Sequence, residues 1–307
     1  MTIQTIPLKT PNGLFNLNRL KNNSFRNKNI EAIRKLTQTA YQGNNITICR
    51  VLGRFMMFIS NLDERHGVQL QMNGYWEMGV TELLTKLIKP GMNVIDIGAN
   101  YGYFSFLMAE LVRPKGHLYS IEANPLMCEL INKSIKVNGY KNSITVINQA
   151  ISDQNNYVES FSFSNNSPMN GALTANKSKN ALDKNFHKQL DVQATTFDAI
   201  EFNNNSIDLI KIDIEGSENK FWFGSKKLRK SNPNLIMIME FNRFKYKDAD
   251  LFIDDIFSSG YKVWDIKINS VVRLDKKSLS KTPTNKHSML LISKENILEK
   301  NLENSWN

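Results

Sequence analysis

The seven residues Asp96-Ile97-Gly98-Ala99-Asn100-Tyr101-Gly102 combine an acid with two glycines four positions apart. Such glycines let a chain turn sharply and pass close to a bound group. A dinucleotide fingerprint reads Gly-x-Gly-x-x-Gly, and its middle glycine brings backbone up to a pyrophosphate. Asn100 stands at that middle place and Tyr103 at the third, so the phosphate cradle is missing and NAD or FAD is disfavoured. S-adenosylmethionine carries no phosphate, and its ammonium can meet Asp96 directly or through water. Glu122 follows Gly98 by about 24 residues, near the spacing at which an acid accepts hydrogen bonds from a ribose diol. Alone, a glycine pair is a loop and a strand-end Glu a solvated acid. Within one βαβ unit they form a nucleoside site.

Methyl transfer from a sulfonium is an in-line displacement. Positioning can supply roughly 7–11 kcal/mol of such a barrier, whereas a general base adds roughly 10²–10⁴-fold in rate. Activity therefore does not demand a histidine. Asp213, at the end of a candidate strand, is expected to take the acceptor's proton, to orient the acceptor, or to bind a metal with Glu240. Helix capping competes with these roles at Asp213 and is the preferred role of Glu215, because both acids precede a helix near Glu218–Phe223. Glu77 is expected near the cofactor's ammonium, with a plain surface acid as the alternative. Of the four histidines, His66, His117, His187 and His287, His117 is expected in a solvated turn, and His187 and His287 are candidate bases. No His, Asp and Glu cluster shows metal-ligand spacing.

These residues need elements to hold them. From Asn93 onward short apolar runs alternate with helical patterns: Val94–Ile97, Leu118–Ile121, Ile144–Ile147, Ile207–Ile212 and Leu235–Glu240 read as strands. Helices are expected over Tyr103–Val112, from Pro125 behind the cap Asn124 to Asn138-Gly139, and over Phe221–Leu228. Tyr261–Ile266 and Met289–Ile292 supply two more strands, expected antiparallel. Alternation of this kind predicts an α/β fold, a parallel sheet with helices on both faces. Ahead of it, a helix is expected over about Ile30–Tyr41, strands over Ile46–Leu52, Arg54–Ile59 and Val68–Met72, and an amphipathic helix over Gly79–Lys89. Residues 153–190, rich in Asn, Ser and Lys, interrupt the order as a loop or lid with one β candidate, Val158–Phe163.

The run from Val94 to Phe104 resembles the first motif of class I adenosylmethionine-dependent methyltransferases, and of the FkbM family in particular. Gly74-Tyr75-Trp76-Glu77, Thr195-Thr196-Phe197-Asp198 and Lys211-Ile212-Asp213-Ile214-Glu215-Gly216-Ser217-Glu218 resemble further blocks of that family, with Phe197 replacing its usual Leu. The resemblance spans about residues 74–242. It implies a Rossmann-like seven-stranded class I methyltransferase sheet, preceded here by a small N-terminal α+β extension, and activity on oxygen of sugars or hydroxylated natural products. Carried over by position, Asp96, Gly98, Asn100 and Gly102 would face the methionine end of the cofactor and Glu122 its ribose. Asn148, Gln149 and Ala150 would border the adenine, with Gln149 or Asp153 reading its amino group. The division expected is residues 1–73 as extension, 74–293 as methyltransferase domain and 294–307 as polar tail.

Composition sets the remaining bounds. Of 307 residues 41% are hydrophobic and 22% charged, as in globular proteins. Cys49 and Cys128 make no disulfide framework, and Met1–Phe15 has no apolar signal core, so a cytoplasmic setting is expected. The formal net charge of +10 raises the alternative of an RNA methyltransferase. The lysines are scattered, however, no Asn/Asp-Pro-Pro-Tyr block is present, and no cysteine lies near the fourth strand. The partner expected is a small-molecule or glycan acceptor. A module that only binds adenosylmethionine is the non-enzymatic alternative.

Overall fold

The computed structural model describes residues 6–164, 167–173, 186–203, 206–283 and 287–294, with backbone alone inside 161–189. Helix α1 (Arg26–Leu36) starts earlier than the apolar pattern predicts and stops at Leu36, because Thr39–Gly43 departs as strand β1. It pairs antiparallel with β2 (Ile46–Val51), which pairs with β3 (Phe55–Ser60). The strand expected over Val68–Met72 is instead part of helix α2 (His66–Asn73). Its apparent alternation misleads: Leu70 is buried, while Val68 and Met72, four apart, share the exposed face. Buried Asp63 favours the helix by accepting hydrogen bonds from the Arg65 and Gly67 amides at 3.0 and 2.9 Å. Gly74, at φ +70°, ends it. Helix α3 (Met78–Leu87) follows as expected.

The central sheet uses β4 (Asn93–Ile97), then, after helix α4 (Tyr103–Val112), β5 (His117–Glu122), helix α5 (Pro125–Asn138) and β6 (Ile144–Asn148). Asn124 caps α5 through a hydrogen bond from the Leu126 amide at 3.0 Å, and Gly139 closes it. A second, four-stranded sheet intervenes: β7 (Ala150–Ser152), β8 (Tyr157–Ser164), β9 (Ser167–Leu173) and β10 (Phe186–Thr196), in the order β7-β10-β8-β9. Much of the segment expected as a loop is therefore paired strand, with Val158–Phe163 inside β8. Strand β11 (Leu209–Ile212) returns to the central sheet. The single helix expected over Phe221–Leu228 is two, α6 (Glu218–Phe223) and α7 (Lys226–Ser231). They break at Gly224, where a Cβ would lie 2.2 Å from the Ser152 carbonyl oxygen. The chain finishes with β12 (Ile236–Phe241), α8 (Ala249–Ser258), β13 (Lys262–Ile266), β14 (Val271–Leu274), α9 (Lys276–Ser280) and β15 (Ser288–Ser293). Residues 295–307, most of the expected tail, lie outside the described residues.

The central order is β14-β13-β15-β12-β11-β4-β5-β6. From β6 to β12 all neighbours are parallel, and β15 runs against both β12 and β13. Of the two last expected strands only the Met289–Ile292 one is therefore reversed against β12, and β14 adds an eighth strand at the edge. Period-two alternation sorts the core onto two faces. Val94, Leu118 and Leu209 pack with α3, α4 and α5, whereas Ile95, Tyr119 and Ile210 pack with α6 and α8. Among the described residues no helix is long and apolar enough to cross a membrane.

Arg26 ties the N-terminal segment to this sheet. Its Nε donates to both carboxylate oxygens of fully buried Glu82 on α3, at 3.1 and 3.0 Å, and its guanidinium also donates to the Ile268 carbonyl and Asn269 Oδ1. Removing one partner of a buried pair strands the other charge. Arg26→Ala should lower stability by about 3–5 kcal/mol in urea unfolding. A loss below about 1 kcal/mol, the scale of an exposed pair, would show that Glu82 does not depend on Arg26.

Candidate functional site

The loop after β4 is built around one close approach. The Gly98 and Ala99 amides both donate to the Ile121 carbonyl, at 2.9 and 3.2 Å. Gly98 has φ +76°, and a Cβ there would fall 1.8 Å from the Asp213 carbonyl oxygen. Only glycine lets the loop press against the end of β11. Asn100 then takes a left-handed turn (φ +54°), and its amide donates to Glu122 Oε2 at 2.8 Å. Glu122 Oε1 accepts the Asn124 amide, also at 2.8 Å. The strand-end acid thus holds the glycine loop with one oxygen and the start of α5 with the other. Burial pushes its pKa above the usual carboxylate range, against the pull of these amides.

Beneath the loop, a polar row crosses three strands. Asp96 stands opposite both Lys211 on β11 and Ser120 on β5, and all three are buried. Ser105 of α4 covers the row, donating to Asp96 Oδ2 at 2.6 Å and lying 3.0 Å from Ser120 Oγ. The Lys211 ammonium is 3.1 Å from Asp213 Oδ2 and 4.8 Å from the centre of the Phe104 ring. Burial would lower the Lys211 pKa, but Asp213, Asp96 and Glu77 outweigh it and hold it above its ordinary value. Asp213 shows the reverse balance: burial pushes its pKa up, Lys211 pulls harder, and the carboxyl ends below its usual range.

Over these groups lies a cavity of ≈ 320 Å³, within the range of small-molecule sites. One end is walled by Gly98–Tyr101, Ile121–Ala123 and Gln149–Ile151. The other is walled by His66, Trp76, Glu77, Lys211, Asp213, Glu215, Glu240 and His287. The acids of this second end differ in partners. Glu215 meets Lys245 at 2.7 Å, and Glu240 meets Lys245 at 3.3 Å and His287 Nδ1 at 2.9 Å. Glu77 is an exposed residue of this wall, and partial desolvation of its carboxyl pushes it up to about 7, helped by Asp213 and opposed by Lys211. Burial also keeps the His66 pKa below its ordinary value. Its ring meets Trp76 edge-on at 4.2 Å, and Nδ1 lies 3.3 Å from Asn100 Nδ2.

The family model described as the Methyltransferase FkbM domain matches residues 96–263. The chain belongs to the FkbM methyltransferase family. Protein-L-isoaspartate O-methyltransferases of Hyperthermus butylicus and Methanothermobacter thermautotrophicus are 39% and 42% identical to it over 67 and 60 residues. Those segments are 20% of this chain and 28% and 27% of the relatives, so the chain spans little more than a quarter of their length. Among solved structures, the methyltransferase FkbM from Methylobacillus flagellatus KT aligns at 12% identity and TM-score 0.42, covering 73% of this chain and 52% of that one. TYW2 of M. jannaschii in complex with AdoMet aligns at 14% identity and TM-score 0.45, covering 82% and 87%.

Within this FkbM chain the structure brings together Glu77, Gly98, Asn100, Glu122, Gln149, Ala150 and Asp213 around one cavity. Two expected cofactor contacts do not line it. Asp96 is fully buried beneath the loop, on the face turned to Ser105, because period-two alternation points it into the sheet–helix layer. Gly102 starts α4 at φ +86°, against Ile131 and Phe106. The capping role preferred for Glu215 also fails. The Ile214 and Gly216 amides donate to Glu218, and Glu215 itself turns to Lys245. His117 begins β5 and meets Thr145 Oγ1 at 2.8 Å, away from the cavity. The His187 side chain lies outside the described residues. Sequence reasoning singles out neither Lys211 nor His66 for a role. Lys211 sits inside a quoted motif, but its burial is readable only from strand register. His66 is hidden when its helix is read as a strand. Both His66 and Glu77 lie outside the matched 96–263 segment. Among the described residues no group of His, Cys, Asp and Glu is arranged to hold a metal ion.

The close approach at Gly98 gives a direct comparison. Gly98→Ala should destabilise by more than the roughly 1–3 kcal/mol of backbone strain alone, since a carbonyl must also move. Gly102→Ala, which meets side chains at 3.3 Å or beyond, should lose less. Equal losses in chemical unfolding would remove the special role of the Gly98–Asp213 contact.

Proposed function

We propose that this chain transfers the methyl group of S-adenosylmethionine to a hydroxyl of a glycan or small natural product. The supporting observation is the acceptor capacity gathered at the glycine loop and the end of β5. Asn100 Oδ1 is buried without a hydrogen-bond partner, and each Glu122 oxygen accepts one amide, which leaves further lone-pair capacity. Such acceptors suit a ligand rich in N–H and O–H donors and do not suit a pyrophosphate. Asn100 receives the donor's ammonium and Glu122 its ribose hydroxyls. Gln149 and Ala150 border the adenine. The bound donor supplies an electrophilic methyl carbon on a sulfonium.

At the other end the chain's own groups handle the acceptor. Asp213 is ionised beside Lys211 and accepts a hydrogen bond from the hydroxyl, fixing the direction of its oxygen. Lys211, 3.1 Å away, in turn keeps Asp213 from swinging away. Four acids wall this end against two lysines, so a carboxylate or a phosphate chain is repelled there. That balance favours a neutral hydroxyl over an isoaspartyl carboxylate or RNA, despite the net charge of +10.

In calorimetry, S-adenosylmethionine and S-adenosylhomocysteine should bind and NAD should not. No binding of the first two to folded protein would sink the reading. Glu122→Ala should weaken both roughly ten- to a hundredfold, as expected for lost charged hydrogen bonds. Asp213→Asn should spare donor affinity while lowering turnover roughly 10²-fold, the scale of a misplaced reactant. With methyl-labelled donor, a panel of methyl glycosides should acquire base-stable label. Label entering an isoaspartyl peptide or an RNA transcript instead would overturn the acceptor class.

A further inference from the structure

We propose that Glu77 is the base that receives the acceptor's proton, a role that rests on the methyltransferase reading above. Glu77 lies at the turn between Trp76 and α3, with φ +35° and ψ 66°. This left-handed conformation is uncommon for a residue with a side chain and persists where surroundings fix it. Thr81 supplies the fixing. Its amide donates to the Glu77 carbonyl at 2.9 Å, its hydroxyl donates to the Trp76 carbonyl at 2.9 Å, and Tyr103 of α4 meets the same hydroxyl at 2.9 Å. The turn sets the Glu77 side chain in the cavity wall with His66, Lys211, Asp213, Glu215, Glu240 and His287.

Among these acids Glu77 is set apart by its freedom. Asp213 is held by Lys211, and Glu215 and Glu240 by Lys245. Glu122 is engaged by two amides. The Glu77 carboxylate makes no hydrogen bond or ion pair among the described residues, and only longer-range charges act on it. A carboxylate already neutralised by a lysine is a weak base, whereas an unpaired one that borders the cavity, even on an exposed residue, is a stronger base. Its pKa of about 7 matches a base working near neutrality.

The proton step balances. The acceptor O–H bond breaks, its proton passes to a Glu77 oxygen, and the hydroxyl oxygen keeps the pair that forms the new C–O bond. The C–S pair leaves with sulfur. One negative and one positive charge vanish together, so the walled site is left without new charge. Asp213 orients the same oxygen and stays ionised beside Lys211.

The test uses the full chain with carbon-13-labelled Glu carboxyls, the Glu77 signal being assigned by its absence in Glu77→Gln. It is titrated alone and with S-adenosylhomocysteine. The expected midpoint is near 7 in both states. Glu77→Gln should bind S-adenosylhomocysteine as tightly as the unaltered chain and melt at the same temperature. Its transfer to the methyl glycoside panel should fall roughly 10²–10⁴-fold, and Glu77→Asp should recover part of that loss. The base form exists only above its pKa. The unaltered rate should therefore climb about tenfold per pH unit below 7 and level off above, and Glu77→Gln should lose this inflection. A midpoint near 4.5, or an unchanged pH profile in Glu77→Gln, would overturn the proposal. So would a midpoint that drops on ligand binding together with weaker binding by Glu77→Gln, which marks a partner of the donor's ammonium. If the unaltered chain binds no S-adenosylhomocysteine, the methyltransferase reading fails first, and that result differs from each of these.

Discussion

A lysine ammonium buried where three parallel strands end is the constraint around which the rest is arranged. Lys211 is 2% exposed, and a buried charge is tolerated only when it is paired and hydrogen-bonded. Its partners come from two strands, Asp96 on β4 and Asp213 just past β11, with the Phe104 face as a third contact. To satisfy one ammonium the ends of β4 and β11 must be in register and α4 must lie over them. The same requirement draws the glycine loop against Asp213, where only a residue without a side chain fits.

That packing divides the cavity. The end beside the glycine loop is held by backbone amides converging on Glu122, a rigid arrangement because both carboxylate oxygens are already engaged from opposite sides. The opposite end is held by ion pairs, and it borrows its remaining wall from the N-terminal segment. Asp63 starts α2, and α2 delivers His66 and Leu70, while the following turn delivers Trp76 and Glu77. The matched domain alone therefore carries the loop and the Lys211 block but lacks one side of the cavity. Arg26 and Glu82 matter to the site through this dependence: they fasten the borrowed wall.

Much of this is legible in the amino-acid sequence. The turn at the glycine loop, the placing of Glu122 at a strand end and the alternating strands follow from residue type and spacing. What stays hidden depends on which face a side chain takes. Asp96 reads as a cofactor contact from its place in the motif, yet alternation from Val94 turns it into the sheet beside Lys211. Glu215 reads as a cap because it precedes a helix, but Glu218 reaches back to the same amides and frees it. Val68, Leu70 and Met72 satisfy a strand pattern and a helix pattern equally. Only Asp63, several residues upstream, settles the choice, through hydrogen bonds that no periodicity records. The 153–190 segment has a polar composition that resembles a loop, while its own strand β8 pairs with β9 and with β10, pairings the sequence does not announce.

Charge makes the same point at larger scale. A net charge of +10 describes the whole surface, and it invites a polyanionic partner. The cavity reverses the sign locally, with Glu77, Asp213, Glu215 and Glu240 facing Lys211 and Lys245. Short-range fields in a walled site outweigh distant, screened surface charges, because screening acts within about 10 Å in solution but weakly inside protein. Within the cavity a neutral compound would therefore meet less repulsion than an anion, whatever the surface attracts. A neutral molecule also has no charge to desolvate on entry, whereas an anion would have to shed its hydration against four carboxyl groups.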